Sequence, residues 1–214
     1  MDIQTIGNSI EPLLNWSNAP LNMPSLMALA AGLGWASGLR LYALIFTLGA
    51  LDRFAGVTLP GDLSTLSNLW VMGISGLLLF TEFFADKIPW LDSVWDSIHT
   101  FIRIPAGAML AGAVMGDQGS AMQIATGLLG GTLAAGTHFA KSGTRAAINT
   151  SPEPFTNVAA STAEDAMFAG GVWAMLNYPL LFLGGLAVFI VFAIILMVLL
   201  WRFVRGIFRR LNHA

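Results

Sequence analysis

The chain has 214 residues, 56% of them hydrophobic and only 10% charged, with a formal net charge of −2. A mean hydropathy of +0.71 excludes an ordinary water-soluble domain and points to an integral membrane protein. The absence of cysteine excludes disulfides, thiolate metal sites and cysteine nucleophiles.

Residues 1–22 place Ile3, Ile6, Ile10, Leu13 and Leu14 at helical spacing, which predicts an amphipathic segment lying on the membrane surface. No Lys or Arg occurs before Arg40, so the basic stretch of a cleavable signal peptide is missing and the start is expected to be retained. Leu26 to Leu51 reads as the first long apolar helix, with Pro24 suited to its start and Arg40 in its middle. The stretch VTLPGDLSTLSN, 57–68, reads as a polar loop, and 69–85 as a second span interrupted by Glu82.

In DKIPWLDSVWDSIHTFIRIP the residues Leu91, Val94, Trp95, Ile98 and Phe101 fall on one helical face and Asp92, Asp96, His99 and Arg103 on the other. That pattern predicts an interfacial helix showing its polar face to water. Pro105 then opens a span to about 116, followed by glycine-rich spans near 120–140 and 160–178. Two prolines make NTSPEPFTN, 149–157, a poor helix. Pro179 to Trp201 carries no charge and exceeds the roughly 20 residues needed to cross a bilayer. Arg202, Arg205, Arg209 and Arg210 follow it, so the tail 202–214 is expected in the cytoplasm.

The expected architecture is an all-α polytopic bundle over 23–201 of about six spanning or re-entrant helices. Leu29-Ala30-Ala31-Gly32 matches Leu133-Ala134-Ala135-Gly136, and Ser37-Gly38-Leu39-Arg40 matches Ser142-Gly143-Thr144-Arg145. Each copy is followed by a Thr close before a carboxylate, Thr81-Glu82 in one and Thr162-Ala163-Glu164-Asp165 in the other, and then by a proline. Three spans per unit, repeated in tandem, must insert with opposite orientation, which predicts inverted repeats over about 26–116 and 120–201.

An arginine is always charged and is costly in hydrocarbon unless it is paired or faces a cavity. Ser-Gly-x-Arg therefore reads as a broken helix: Gly38 and Gly143 interrupt it, Ser37 and Ser142 satisfy freed backbone groups, and Arg40 and Arg145 grip an anion from opposite sides. The competing reading is that each arginine pairs with Glu82 or Glu164 and locks the helices together. Glu82, Asp86, Glu164 and Asp165 are candidate proton carriers, although Asp86 and Lys87 adjoin Pro89 and read as membrane-surface residues. His138 is either a proton relay or a structural histidine. Asp92, Asp96 and His99 share a face with metal-ligand chemistry, but any interfacial helix offers such a face, and no metal or cofactor is expected.

With no phosphate loop, nucleophile elbow or zinc-protease motif, an enzyme has little support. The expected function is a membrane transporter or flippase of a small anionic or lipid-linked substrate, coupled to protons through the carboxylates. A passive ion channel, a divalent-cation transporter and a non-transporting scaffold are the alternatives. The expected partners are the lipid bilayer and that substrate, with a homodimer open and nucleic acid excluded.

The segment EFFADKIPWLDSVWDSIHTFIRIPAGAML, 82–110, together with SGLRLY, resembles the bacterial integral-membrane family known as domain of unknown function 4126. The resemblance implies a small polytopic inner-membrane protein in which Arg40, Glu82, Asp86, Lys87, Pro89, Asp92, Asp96 and Arg103 belong to a shared pattern. It implies no substrate.

Overall fold

The computed structural model of the protein describes residues 22–150 and 154–211. The amphipathic segment expected over 1–22 lies outside these residues except for Asn22, as does the end of the basic tail. Among the described residues six α-helices follow one another: α1 (Met23–Ala55), α2 (Leu69–Ala85), α3 (Pro89–Ala113), α4 (Ser120–Ile148), α5 (Pro154–Asn177) and α6 (Pro179–Leu211). No strand occurs among the described residues.

Helix α1 is the hub, packed against each of the other five. Asn22 caps its start by accepting from the Ser25 N–H at 3.0 Å, and Gly56, at φ 69, ends it in the left-handed conformation that glycine tolerates. Its central apolar stretch is almost wholly buried, because other helices rather than lipid surround it. Small residues make that packing close. A methyl group on Gly38 would fall 2.5 Å from the Ala134 carbonyl oxygen of α4, so the two backbones meet where a side chain would otherwise stand. Trp35 reaches the opposite way and meets Phe182 and Phe189 of α6 edge-on, with ring centroids 5.7 and 6.1 Å away.

Two helices, Met23–Ala55 and Pro179–Arg202 within α6, are long and apolar enough to cross a membrane. A third crossing exists if the 3₁₀ helix Gly61–Ser67 and α2, bent by 72°, form one broken span. The segment expected as a plain loop over 57–68 therefore contains a helical turn. Helix α6 is the opposite of α1: only 11% of its apolar window is buried, which leaves most of it for lipid.

Three sequence expectations are corrected. The interfacial helix and the span expected from Pro105 are one continuous helix, α3, with Pro105 inside it. Its faces are also reversed: Asp92, Asp96, His99 and Arg103 are buried, whereas Val94, Ile98 and Phe101 are exposed, Phe101 by 83%. The reason is pairing: on the buried side Asp96 meets Lys141 and Asp92 meets Arg145, so the charged face turns towards the helices that neutralise it. Finally, α5 begins at Pro154, so part of the proline-rich connection is helical; proline is tolerated in a first turn, where its missing N–H has no partner to lose.

Candidate functional site

Polar residues recur at helical spacing on four helices and meet beside α1. On α3 they are Asp92, Asp96, His99 and Arg103; on α4, His138, Lys141 and Arg145; on α5, Asn157, Ser161 and Glu164; at the end of α2, Glu82 and Asp86. Among the described residues eight charged side chains are buried: Arg40, Arg103, Lys141 and Arg145 against Glu82, Asp86, Asp92 and Asp96. Four positive and four negative charges balance, as a low-dielectric interior requires.

The first arginine sits at a true interruption. Arg40 has φ −143° and ψ 70° inside an otherwise helical α1, so the i→i−4 ladder breaks there. Lys141 supplies a replacement partner, donating from Nζ to the Leu39 carbonyl at 3.4 Å. The Arg40 guanidinium pairs with Asp86 through Nη1 and with Asp165 through Nη2 at 2.8 Å, and it also donates to the Ser161 hydroxyl at 3.2 Å. Lys141 lies 3.3 Å from Asp86, 3.5 Å from Glu164 and 3.8 Å from Asp96. Asp86 thus joins two cations at the centre of the network. It is fully buried by the surrounding helices.

The second arginine is not at a break, because α4 runs through it to Ile148. Arg145 holds Glu164 with Nε at 2.9 Å and Nη2 at 3.3 Å, the forked geometry that a carboxylate suits, and its Nη1 donates to the Asn157 side chain at 2.6 Å. Gly143 opens no kink; a methyl there would approach Leu200 of α6 at 2.9 Å. Ser37 is buried and donates to the Leu33 carbonyl at 2.6 Å, a bond made within the helix rather than at the break, and Ser142 is half-buried. The two guanidiniums share one buried network but do not face each other across an open hollow. Carboxylates occupy both.

Glu82 pairs with Arg103, not with Arg40, and Arg103 also donates to Asp96 at 2.9 Å. His138 lies between these groups and Thr100, with Nδ1 3.2 Å from Arg103 and Nε2 2.7 Å from the Thr100 hydroxyl. Asp92 accepts from Asn149 Nδ2 at 3.1 Å and lies 3.9 Å from Arg145. His99 is held by other partners: it stacks on Trp95 at 4.0 Å, meets the edge of Tyr42, and has Nδ1 2.7 Å from the Trp95 carbonyl. Asp92, Asp96 and His99 therefore do not converge, and among the described residues no group of three or more His, Cys, Asp or Glu is placed to hold a metal ion. One oxygen of each buried carboxylate, Glu82 Oε2, Asp86 Oδ1, Asp92 Oδ1 and Asp96 Oδ2, has no hydrogen-bond partner.

A crevice of about 350 Å³ opens beside the network between α4, α5 and α6, with Lys141 and Glu164 among walls of Leu39, Phe189 and Phe192. Among network carboxylates only those of α5 are reachable: the Glu164 side chain is 12% exposed and that of Asp165 39%. Lys141, Asn157 and Ser161 are participants that the arginine motifs did not reveal. Their signal was periodicity, since Asn157, Ser161 and Glu164 recur every third or fourth residue, as buried polar positions on one helix face must.

These features define an α-helical bundle organised around a buried ion network, with two or three segments long and apolar enough to cross a membrane among the described residues. The chain belongs to the family described as domain of unknown function (DUF4126), whose family model matches residues 27–199. No curated protein and no solved structure matches it.

Proposed function

We propose that the protein is a proton-coupled membrane transporter or flippase for a small anionic or lipid-linked substrate. The observation that carries the reading is the buried network gathered at the interruption of α1 beside a crevice. Ionisable groups among membrane helices are expensive, and broken helices beside a cavity are where secondary transporters place their sites. Arg40 and Arg145 are the anion-binding groups. Glu82, Asp86, Glu164 and Asp165 carry protons, with unpartnered oxygens on Glu82 and Asp86 able to take one, and His138 is a relay.

The proposal includes two inverted three-helix units, over about 26–116 and 120–201, in a bacterial inner membrane with the basic tail in the cytoplasm. The repeated Ser-Gly-x-Arg sequences, each in the first helix of its three, support that plan. A scaffold is the second reading, favoured by guanidiniums already satisfied by the chain's own carboxylates.

Flux into proteoliposomes separates the classes. A coupled transporter saturates with substrate and responds to a pH gradient. A passive ion channel follows voltage without saturating, a divalent-cation transporter saturates with the metal ion instead of an anion, and a scaffold passes nothing. Loss of flux in folded Arg40→Ala protein supports the assignment; unchanged flux in that variant overturns it.

A further inference from the structure

The buried charges balance four to four, so the two carboxylates of α5 are a surplus of two negative charges. They are adjacent in sequence, they are the network acids open to the outside, and each holds one arginine. Arg40 gives one amino group to the inner carboxylate Asp86 and the other to Asp165. Arg145 gives Nη1 to Asn157 and its remaining edge to Glu164. Withdrawing both α5 carboxylates therefore uncovers one edge of each guanidinium, keeps an inner partner on each, and leaves a neutral core.

We propose that Glu164 and Asp165 are built-in stand-ins for a bound anion. A small ligand bearing carboxylate or phosphate oxygens takes their places on Arg145 and Arg40, entering by the crevice that Glu164 lines. Uptake of two protons by the displaced acids with one dianion leaves the site's charge unchanged. The groups facing the α5 pair are Arg40 from α1, Asp86 and Lys87 from the α2–α3 turn, Asp92 from α3, and Lys141 and Arg145 from α4, while α6 is uncharged before Arg202. An incoming anion therefore takes the place of the α5 carboxylates among cations that need a negative partner. The inference rests on the transport reading for its purpose, but anion binding is measured without transport.

The test is rescue of a truncated carboxylate by a small anion. Full-length protein in detergent is melted while its tryptophan fluorescence is followed, for wild type, Glu164→Ala and Asp165→Ala. Glu164→Ala strands a buried guanidinium and lowers Tm. Formate, compared with chloride at matched ionic strength, restores most of that loss with a saturating dose dependence, as a ligand bound to the folded state must. Wild type gains a smaller formate-dependent stability that saturates only at higher formate, because the anion must first displace the α5 carboxylates. Asp117→Ala, on an exposed 3₁₀ turn, shows no formate-specific shift and reports general salt effects.

No formate-specific recovery in either site variant, or an equal shift in Asp117→Ala, overturns the inference. If Glu164→Ala does not fold, Asp165→Ala at the more exposed position carries the same test. Saturable rescue without flux leaves the anion site standing and removes the transport reading. Flux without rescue does the reverse.

Discussion

Asp86→Asn is the most direct test of the buried network, because Asp86 is fully buried and joins Arg40 to Lys141, the latter at 3.3 Å. The substitution keeps the shape and removes one negative charge, leaving four buried cations to three buried carboxylates. Breaking a buried pair from one side costs ~3–5 kcal/mol, and the amide oxygen still accepts a hydrogen bond, so the lower end, about 3 kcal/mol, is expected. At roughly 2–4 °C per kcal/mol for a chain of this size, Tm falls by about 6–12 °C. The assay is thermal unfolding in detergent followed by tryptophan fluorescence, for which the chain has seven indoles. Adding Lys141→Met removes the stranded cation and should recover part of the loss. A change below ~1 kcal/mol for Asp86→Asn, the size of an exposed pair, together with no recovery in the double variant, refutes the reasoning.

Close backbone contact between α1 and α4 predicts that Gly38→Ala lowers stability by ~1–3 kcal/mol, as overpacking does. Gly136→Ala, whose added methyl meets nothing within 4 Å, serves as its matched control and should stay near wild type in the same melt. The reversed polarity of α3 predicts that single cysteines at Ile98 and Phe101, placed in a chain with none of its own, carry labels quenched by brominated lipid, whereas one at Leu110 does not. Quenching at Leu110 but not at Phe101 would restore the water-facing arrangement. Trp35→Ala removes both aromatic contacts to α6 and should cost ~3–5 kcal/mol, read as faster proteolysis of the solubilised protein. Protease resistance equal to wild type would show that α6 is held by something else.

Helix positions were largely legible, because long apolar runs and glycine-rich stretches leave few alternatives. The departures have local causes. In the stretch after Lys87 the rule that a polar face seeks water fails, because cations on α4 pair with that face inside the bundle. A proline signals a helix boundary, but at Pro105 the flanking turns carry the helix past its one missing donor. The break in α1 lies at Arg40, two residues past Gly38, whereas the matching motif in α4 stays helical. One motif in two packing environments takes two backbones.

The candidate site was legible as a set of residue types but not as a set of partners. Arg40, Glu82, Asp86, Arg145, Glu164 and Asp165 stood out because each is costly in an apolar segment. Nothing in the sequence paired Arg103 with Glu82, placed Lys141 among three carboxylates, or put Asp165 rather than Glu82 on Arg40. Composition and periodicity alone determined an all-helical membrane chain with charge inside its helices, since these follow from what each segment can bury. Which charge meets which was decided by the tertiary structure, because ion pairing depends on a few ångströms between helices far apart in the chain, and those distances are set by packing.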